Sequence, residues 1–406
     1  MPFRVALSGL NAASADLNAT ANNIANVNTT GFKSSRAEFA DVYAASALGA
    51  GSDAIGSGVR LANVAQQFGQ GSIEFTDSAL DLALNGEGFF MLSDNGSLAY
   101  SRAGAFGADR NGYVVNQNGE RLQIYPPLTG GGGFNTGALA DLQLSSGDSP
   151  PVATTTIVTG LNLPANAPVP STAVFNPADP SSYNHTTSLT SYDSLGTPLV
   201  TSLYFVKTAT ANQWNMYTYV NGSAVSGPDT IQYSSGGALT SPAGGTIALP
   251  SFNPGTGAAN LALTMDLSKS TQFGSSFGVT SLSQDGFTTG RLTGIEVTAD
   301  GVVQARYTNG LSLPLGLIAL ASFANPQGLQ KLGDTQWGET FASGAGLRGQ
   351  AGAANFGQLQ SGALESSNVD LTEQLVNMIT AQRNFQANAQ MIQTADAITQ
   401  TIINIR

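Results

Sequence analysis

Apolar side chains recur in alternating steps of four and three at the two ends of the chain, and in steps of two through much of its middle. At the N-terminus Phe3, Leu7, Leu10, Ser14, Leu17, Ala21, Ile24 and Asn28 share the spacing of one helix face in a heptad frame. The C-terminal stretch repeats this with Leu371, Leu375, Met378, Gln382, Phe385, Ala389 and Ile392, then drifts onto Met391, Ala395, Ile398, Ile402 and Ile405. Such drift follows when a helix of about 3.6 residues per turn runs against a 3.5-residue seam. Pro2 suits a first helical turn, and Asn26 to Thr30 lead to Gly31, which can take a left-handed stop. The second helix is expected to open on a capping box, with Ser367 accepting from the amide of Asp370. Two long helices confined to the two ends are expected to meet.

The middle reads as strands and turns. From Phe32 to about Gly71 the glycines Gly49, Gly51, Gly56 and Gly58 predict a bend or extended linker, and together with Gly31 they are the candidate hinges. Gly88 to Leu92 and Leu98 to Tyr100 flank Asn95-Gly96 as a hairpin, and further turns fall at Asn111-Gly112, Asn118-Gly119 and Asp300-Gly301. A glycine run at 130–133 and the pair Pro150-Pro151 mark a boundary. Beyond it, strands alternate at 203–206, 214–220 and 261–267, the last with Leu261, Leu263, Met265 and Leu267 on one face. The run 315–323 resumes the apolar texture seen before the boundary. The predicted fold is multidomain α+β. Terminal helices (1–30 and 366–406) pair as a coiled-coil-like domain, followed by connecting segments (31–72 and 358–365). A discontinuous inner β domain (73–150 and 286–357) carries an inserted outer β domain (151–285), both mostly antiparallel.

Composition narrows the function. Only 10% of the 406 residues are charged, against about a quarter in ordinary globular proteins. Polar cover must therefore come from Ser, Thr, Asn, Gln and the 48 glycines. With 15 basic and 26 acidic residues the net charge is -11, and no basic stripe offers itself to nucleic acid. The absence of cysteine excludes disulfides and thiolate metal sites, and a single histidine leaves little for imidazole chemistry. No cofactor is expected. No apolar stretch approaches the length of a membrane span, and the first ten residues lack a continuous apolar signal region, so neither membrane insertion nor general secretion is expected.

Candidate chemistry stays bland. Gly147-Asp148-Ser149 resembles an esterase nucleophile motif, yet no histidine follows His185. His185 itself reads as a surface residue near Asp193. Asp109-Arg110-Asn111-Gly112 has part of a calcium-loop spelling without the distal glutamate, which makes it a hairpin turn. A carbohydrate-binding or hydrolytic β protein would need an aromatic platform or paired carboxylates, and Trp214 and Trp337 lie in patterns explained by packing. The terminal stripes have two readings: packing within one molecule, or packing between many copies. Weak hydrophobicity, scarce ion pairs and flanking glycines favour the second, because short helices depend on tertiary burial.

The run from Ala21 to Lys33, which contains Asn22, Asn23, Ile24, Ala25, Asn26, Gly31, Phe32 and Lys33, resembles the N-terminal signature of the bacterial flagellar rod and hook proteins. The run from Gly362 to Leu371 with Asn368, Val369 and Asp370, continued by Gln382, Arg383 and Asn384, is similar to their C-terminal signature, and 82–90 to their first core strand. Within that family the inserted β domain looks like that of the hook proteins; a distal rod subunit with an unusual insertion is the alternative. The resemblance implies a structural subunit that polymerises with itself into a curved hollow tube, a universal joint carrying motor torque from rod to filament. It further implies contacts with a rod protein at one end, a hook-filament junction protein at the other, the hook cap and the flagellar export apparatus. It implies too that subunits leave the cell unfolded, without a cleaved signal peptide, and that the seam of polymerisation runs through Phe3, Leu7, Leu10, Leu17, Ile24, Leu371, Leu375, Met378, Phe385, Ile392, Ile398, Ile402 and Ile405.

Overall fold

The computed structural model describes residues 2–42, 56–128, 132–144, 147–353 and 355–404. The candidate hinges Gly49 and Gly51, Gly130 and Gly131 of the glycine run, and Ile405 lie outside the described residues. The chain forms two compact units: Met1–Ser146 with Gly294–Ala305 and Leu313–Arg406, and Gly147–Thr293 with Arg306–Ser312.

In the first unit helix α1 (Pro2–Ala25) packs on helix α2 (Leu371–Asn404). Moving from Gly9 to Asn23 along α1 moves the neighbour from Asn388 back to Gln374 along α2, so the two run antiparallel. The inward line of α1 is Ala6, Gly9, Ala13, Asp16, Thr20 and Asn23, one position away from the line of large residues that periodicity selects. On α2 the less exposed line is Gln374, Met378, Ala381, Phe385, Asn388, Ile392 and Ala395, which keeps Met378, Phe385 and Ile392 and replaces the residues between them. The displacement has a steric cause. Small side chains at the contact let helix axes approach closely, and close approach brings more atoms within dispersion range. Leu10, Leu17 and Ile24 then flank the seam half-buried, while Phe3 and Leu7 are exposed.

The start of α2 also differs from expectation. Asp370 Oδ1 accepts from the amides of Thr372 (2.8 Å) and Glu373 (3.1 Å), so Asp370 is the cap and Ser367 only supports the turn before it. A carboxylate there also faces the positive end of the helix dipole.

The stretch after α1 is not a linker. Ser35–Asp41 and Val59–Gln66 pair antiparallel from Ser35 opposite Gln66 to Asp41 opposite Val59. Their alternating residues form a ladder that the glycine count concealed. Gly58 is no free hinge: a β-carbon there would fall 2.2 Å from Ser8 Oγ, and that oxygen accepts from the Val59 amide at 3.2 Å.

The sheet of this unit runs through Ser312–Ile318, Arg121–Tyr125, Phe89–Asp94, Ser97–Ser101, Gln336–Gly338 and Gln330–Gly333 in that order. One face buries Leu84, Phe90, Leu92, Leu122, Ile318 and Leu320, and the other Met91, Tyr100, Leu317, Phe323 and Trp337. The tight turn at Asn95-Gly96, with φ of 49° and 98°, joins Phe89–Asp94 to Ser97–Ser101 as predicted.

The second unit is a sandwich. A sheet ordered His185–Tyr192, Pro198–Lys207, Gln213–Val220, Ser223–Tyr233, Leu239–Ser241 shares a core with a four-stranded sheet around Thr156–Asn162. Leu203, Phe205, Trp214, Met216, Leu261, Leu263, Met265 and Leu267 are all buried, at the period of two that the sequence shows. His185 departs from its surface assignment: its ring stacks on Phe277 at 4.4 Å, and partial burial lowers its pKa. No described helix is long and apolar enough to cross a membrane.

Candidate assembly surface and terminal joint

The two signature runs meet in one place. Lys33 Nζ donates to Glu365 Oε1 at 2.6 Å and to the Gly69 carbonyl at 2.8 Å. Arg102 reaches the other carboxylate oxygen at 3.4 Å and donates to the carbonyls of Leu84 (3.3 Å) and Gly86 (2.6 Å). The Gly71 amide donates to Glu365 Oε1 at 2.9 Å, and the Gly31 amide to the Glu365 carbonyl at 2.8 Å. Lys33 and Glu365 are fully buried and Arg102 nearly so. Burial pushes the pKa of Lys33 and of Arg102 down, and the Glu365 charge opposes this in both. One carboxylate thus serves two cations and ties residues 31–33, 69–71, 84–86, 102 and 365 together.

Two asparagines extend this joint to the helices. Asn23 accepts from the Ser35 amide and donates to the Ser35 carbonyl, both at 2.8 Å, and donates to Gln374 Oε1 on α2 at 3.0 Å. Asn368 accepts from the Ser34 amide at 2.8 Å and donates to the Gln67 carbonyl at 2.7 Å. Gly31 has φ of 69°, and a β-carbon there would meet the Ala103 nitrogen at 2.4 Å, which makes it a packed anchor rather than a loose hinge. Gly56 is half-buried.

The remaining signature residues are spread more widely. Val369 is buried, Phe32, Ile24 and Asn26 are half-buried, and Asn22, Ala25, Gln382, Arg383 and Asn384 are exposed. Asn11 and Asn18 are exposed as well. Asn23, Gln374 and Asn388 are the polar residues at the contact between the two helices. Sequence reasoning did not single out Arg102 and Glu365. The signal for Glu365 is that it stands as an isolated charge in a chain short of charge.

Outside the joint the helices present apolar side chains to solvent. Phe3 is 51% exposed, Leu375 46%, Ile379 50% and Ile398 56%, with Leu7, Leu371, Val376, Met391 and Ile403 alongside. Surfaces of this kind mark interaction sites.

Gly9 and Asp16 bear on how the pair closes. A β-carbon at Gly9 would lie 2.5 Å from Asn388 Oδ1, so Gly9→Val is expected to weaken helix pairing by about 1–3 kcal/mol. A lower thermal midpoint of the helical circular-dichroism signal checks this; an unchanged midpoint shows that the seam yields at that point. Burial raises the Asp16 pKa above its ordinary 3.8. The folded state then holds a proton that the unfolded chain loses, so this stabilisation is greatest below that value and fades as pH rises through the raised pKa. Asp16→Asn is expected to flatten the decline, seen as equal urea midpoints on the two sides of that window.

Four family profiles match in chain order. They are the flagella basal body rod protein at 3–33, the flagellar hook protein FlgE/F/G D1 domain at 83–167, the flagellar basal body protein FlaE D2 domain at 162–287, and the flagellar basal body rod FlgEFG protein C-terminal at 360–405. Split helical ends tied to a β body thus define a structural protein of the bacterial flagellum. The chain is 40% identical to the flagellar hook protein FlgE of Salmonella typhimurium and 39% to that of Escherichia coli, over all of each chain. It is 36% identical to that of Borreliella burgdorferi over 98% of each. The chain belongs to the flagellar hook protein family and is a structural subunit of the hook; the family is not one of enzymes. The crystal structure of Helicobacter pylori flagellar hook protein FlgE2 shares the fold, with a TM-score of 0.55 at 15% identity over 72% of this chain and all of that one.

Proposed function

We propose that copies of this chain polymerise through α1 and α2 into a curved hollow tube, the flexible joint that carries torque from rod to filament. The observation that supports this is the division of labour on the helices. On α1 small and polar residues fill the seam within one molecule, and on α2 Met378, Phe385 and Ile392 share it with Gln374, Ala381 and Asn388, while Phe3, Leu7, Leu375, Ile379 and Ile398 stay exposed. That surface suits helices of neighbouring copies, in contacts that do not close and so build an open helical filament. Residues 1–30 and 366–406 act as the polymerisation domain, and 151–285 as an inserted β domain on 73–150 and 286–357.

The scarcity of charge suits this role, because many near-equivalent contacts can slide without breaking fixed ion pairs. A rod protein and a hook-filament junction protein are the neighbours at the two ends, with the hook cap and the export apparatus acting during assembly. Subunits leave the cell unfolded and keep their N-terminal sequence. Electron microscopy of the purified protein after salt-induced polymerisation tests the reading: curved hollow tubes are expected. Straight rigid tubes would favour a distal rod subunit, and no polymer at any salt concentration would sink the proposal.

A further inference from the structure

The five-stranded sheet of the second unit carries aromatic rings on the face turned away from its core. Tyr204, Tyr217 and Tyr219 alternate with the buried Phe205, Met216 and Thr218, so they point outward. Residues 163–184, with five prolines, run as a strap from Thr156–Asn162 to His185–Tyr192. Ser182 Oγ donates to the Asn176 carbonyl and Asn184 Nδ2 to the Pro168 carbonyl, both at 2.7 Å, so the strap holds its own shape. Its Phe175 stacks on Tyr217 with ring centroids 4.1 Å apart. Tyr183, at the end of the strap, meets Tyr204 edge to face at 5.0 Å, and Tyr204 meets Tyr219 in the same way at 5.7 Å. Among the described residues these are the only contacts between two tyrosine rings, and all three rings are half-buried.

The chemistry of the unit directs oxidation to this group. The chain has no cysteine, and Trp214, Met216 and Met265 are fully buried. Trp214 is a poor resting place for a lost electron. Its Nε1 is buried without a hydrogen-bond partner, so an oxidised indole has nowhere to send its proton and remains a charge in an apolar core. Tyr233 is buried too, with its hydroxyl bonded to Ser270 Oγ at 3.0 Å. Tyr183, Tyr204 and Tyr219 differ on both counts: ring touches ring, and water reaches them to take the phenolic proton.

We propose that Tyr183 and Tyr204 are a site of oxidative modification, at which a haem peroxidase supplied with hydrogen peroxide joins the two rings as dityrosine. Each ring loses one electron and its phenolic proton. The two radicals then form a carbon-carbon bond between the Cε positions beside their hydroxyls, and the hydrogen displaced from each carbon returns to its phenolic oxygen. Peroxide accepts the two electrons and two protons and becomes two waters. Coupling requires the rings to turn from edge-to-face to edge-to-edge, and half-exposed side chains have room to do so. Tyr219 enlarges the target, since an electron lost there is replaced from Tyr204 across their contact. The new bond fastens the end of the strap to the sheet within one subunit, whether or not that subunit is in a polymer.

The test treats the dilute full chain with a haem peroxidase and limiting hydrogen peroxide. Digestion on the N-terminal side of aspartate separates residue 183 from residue 204 at Asp193, and mass spectrometry maps the products. A product of single-subunit size is expected, with dityrosine fluorescence and a peptide pair joining 183 to 204 that is two hydrogens lighter than its parts. Tyr183→Phe and Tyr204→Phe keep the ring packing and should each lose this product, whereas Tyr192→Phe, half-buried outside the group, should retain it. The coupled chain should also unfold at higher urea, because the added covalent link restricts the unfolded state. No coupling, coupling mainly at other tyrosines or between copies, survival of the product in either of the first two variants, or an unchanged urea midpoint overturns the inference.

Discussion

Glu365→Gln is expected to destabilise the first unit by about 3–5 kcal/mol, the largest effect of any single substitution outside the apolar core. The carboxylate is shared by two cations, Lys33 at 2.6 Å and Arg102 at 3.4 Å, in a place where neither is open to water. Removing its charge leaves Lys33 buried without a carboxylate and Arg102 with only the more distant Glu87, whereas Lys33→Met leaves Arg102 still paired and should cost less. The surface pair Arg36–Glu38, at 2.9 Å but well exposed, provides the scale: Arg36→Gln should cost less than about 1 kcal/mol. Urea unfolding of the three variants decides the matter. A Glu365→Gln variant no weaker than Arg36→Gln would show that backbone donors, not charge, hold the joint.

Ile379→Asp should abolish tube formation while changing the stability of the single subunit by no more than about 0.5 kcal/mol. Ile379 is 50% exposed on α2, so the aspartate stays solvated in the free subunit and is desolvated only between copies. Phe385→Asp should fail on both counts, because Phe385 lies on the line of α2 that faces α1. Sedimentation reads assembly and thermal melting reads the subunit. Tubes of normal appearance from Ile379→Asp would remove this face from the polymer contact.

Much of the fold is legible in the sequence because local patterns and tertiary packing agree. The period of two in 261–267 and the Asn95-Gly96 turn need no distant partner to be recognised. The strand pair 35–41 and 59–66 was hidden because glycines between two strands look the same as glycines in a linker. The capping residue was displaced from Ser367 to Asp370 because both residues fit a cap, and only backbone geometry chooses between them.

The candidate assembly surface divides along similar lines. That the helices lie at the two ends, and that apolar residues run along each, is inherent in the sequence, since spacing alone carries it. Which face turns inward is not. Hydrophobic periodicity favours large side chains such as Leu7 and Leu10, but close packing in the antiparallel pair selects Ala6, Gly9 and Ala13, and only two helices placed side by side reveal that choice. The joint at Lys33, Arg102 and Glu365 is likewise a product of tertiary structure. Its members are far apart along the chain, and three scattered charges acquire a shared purpose only once folding has removed the water between them.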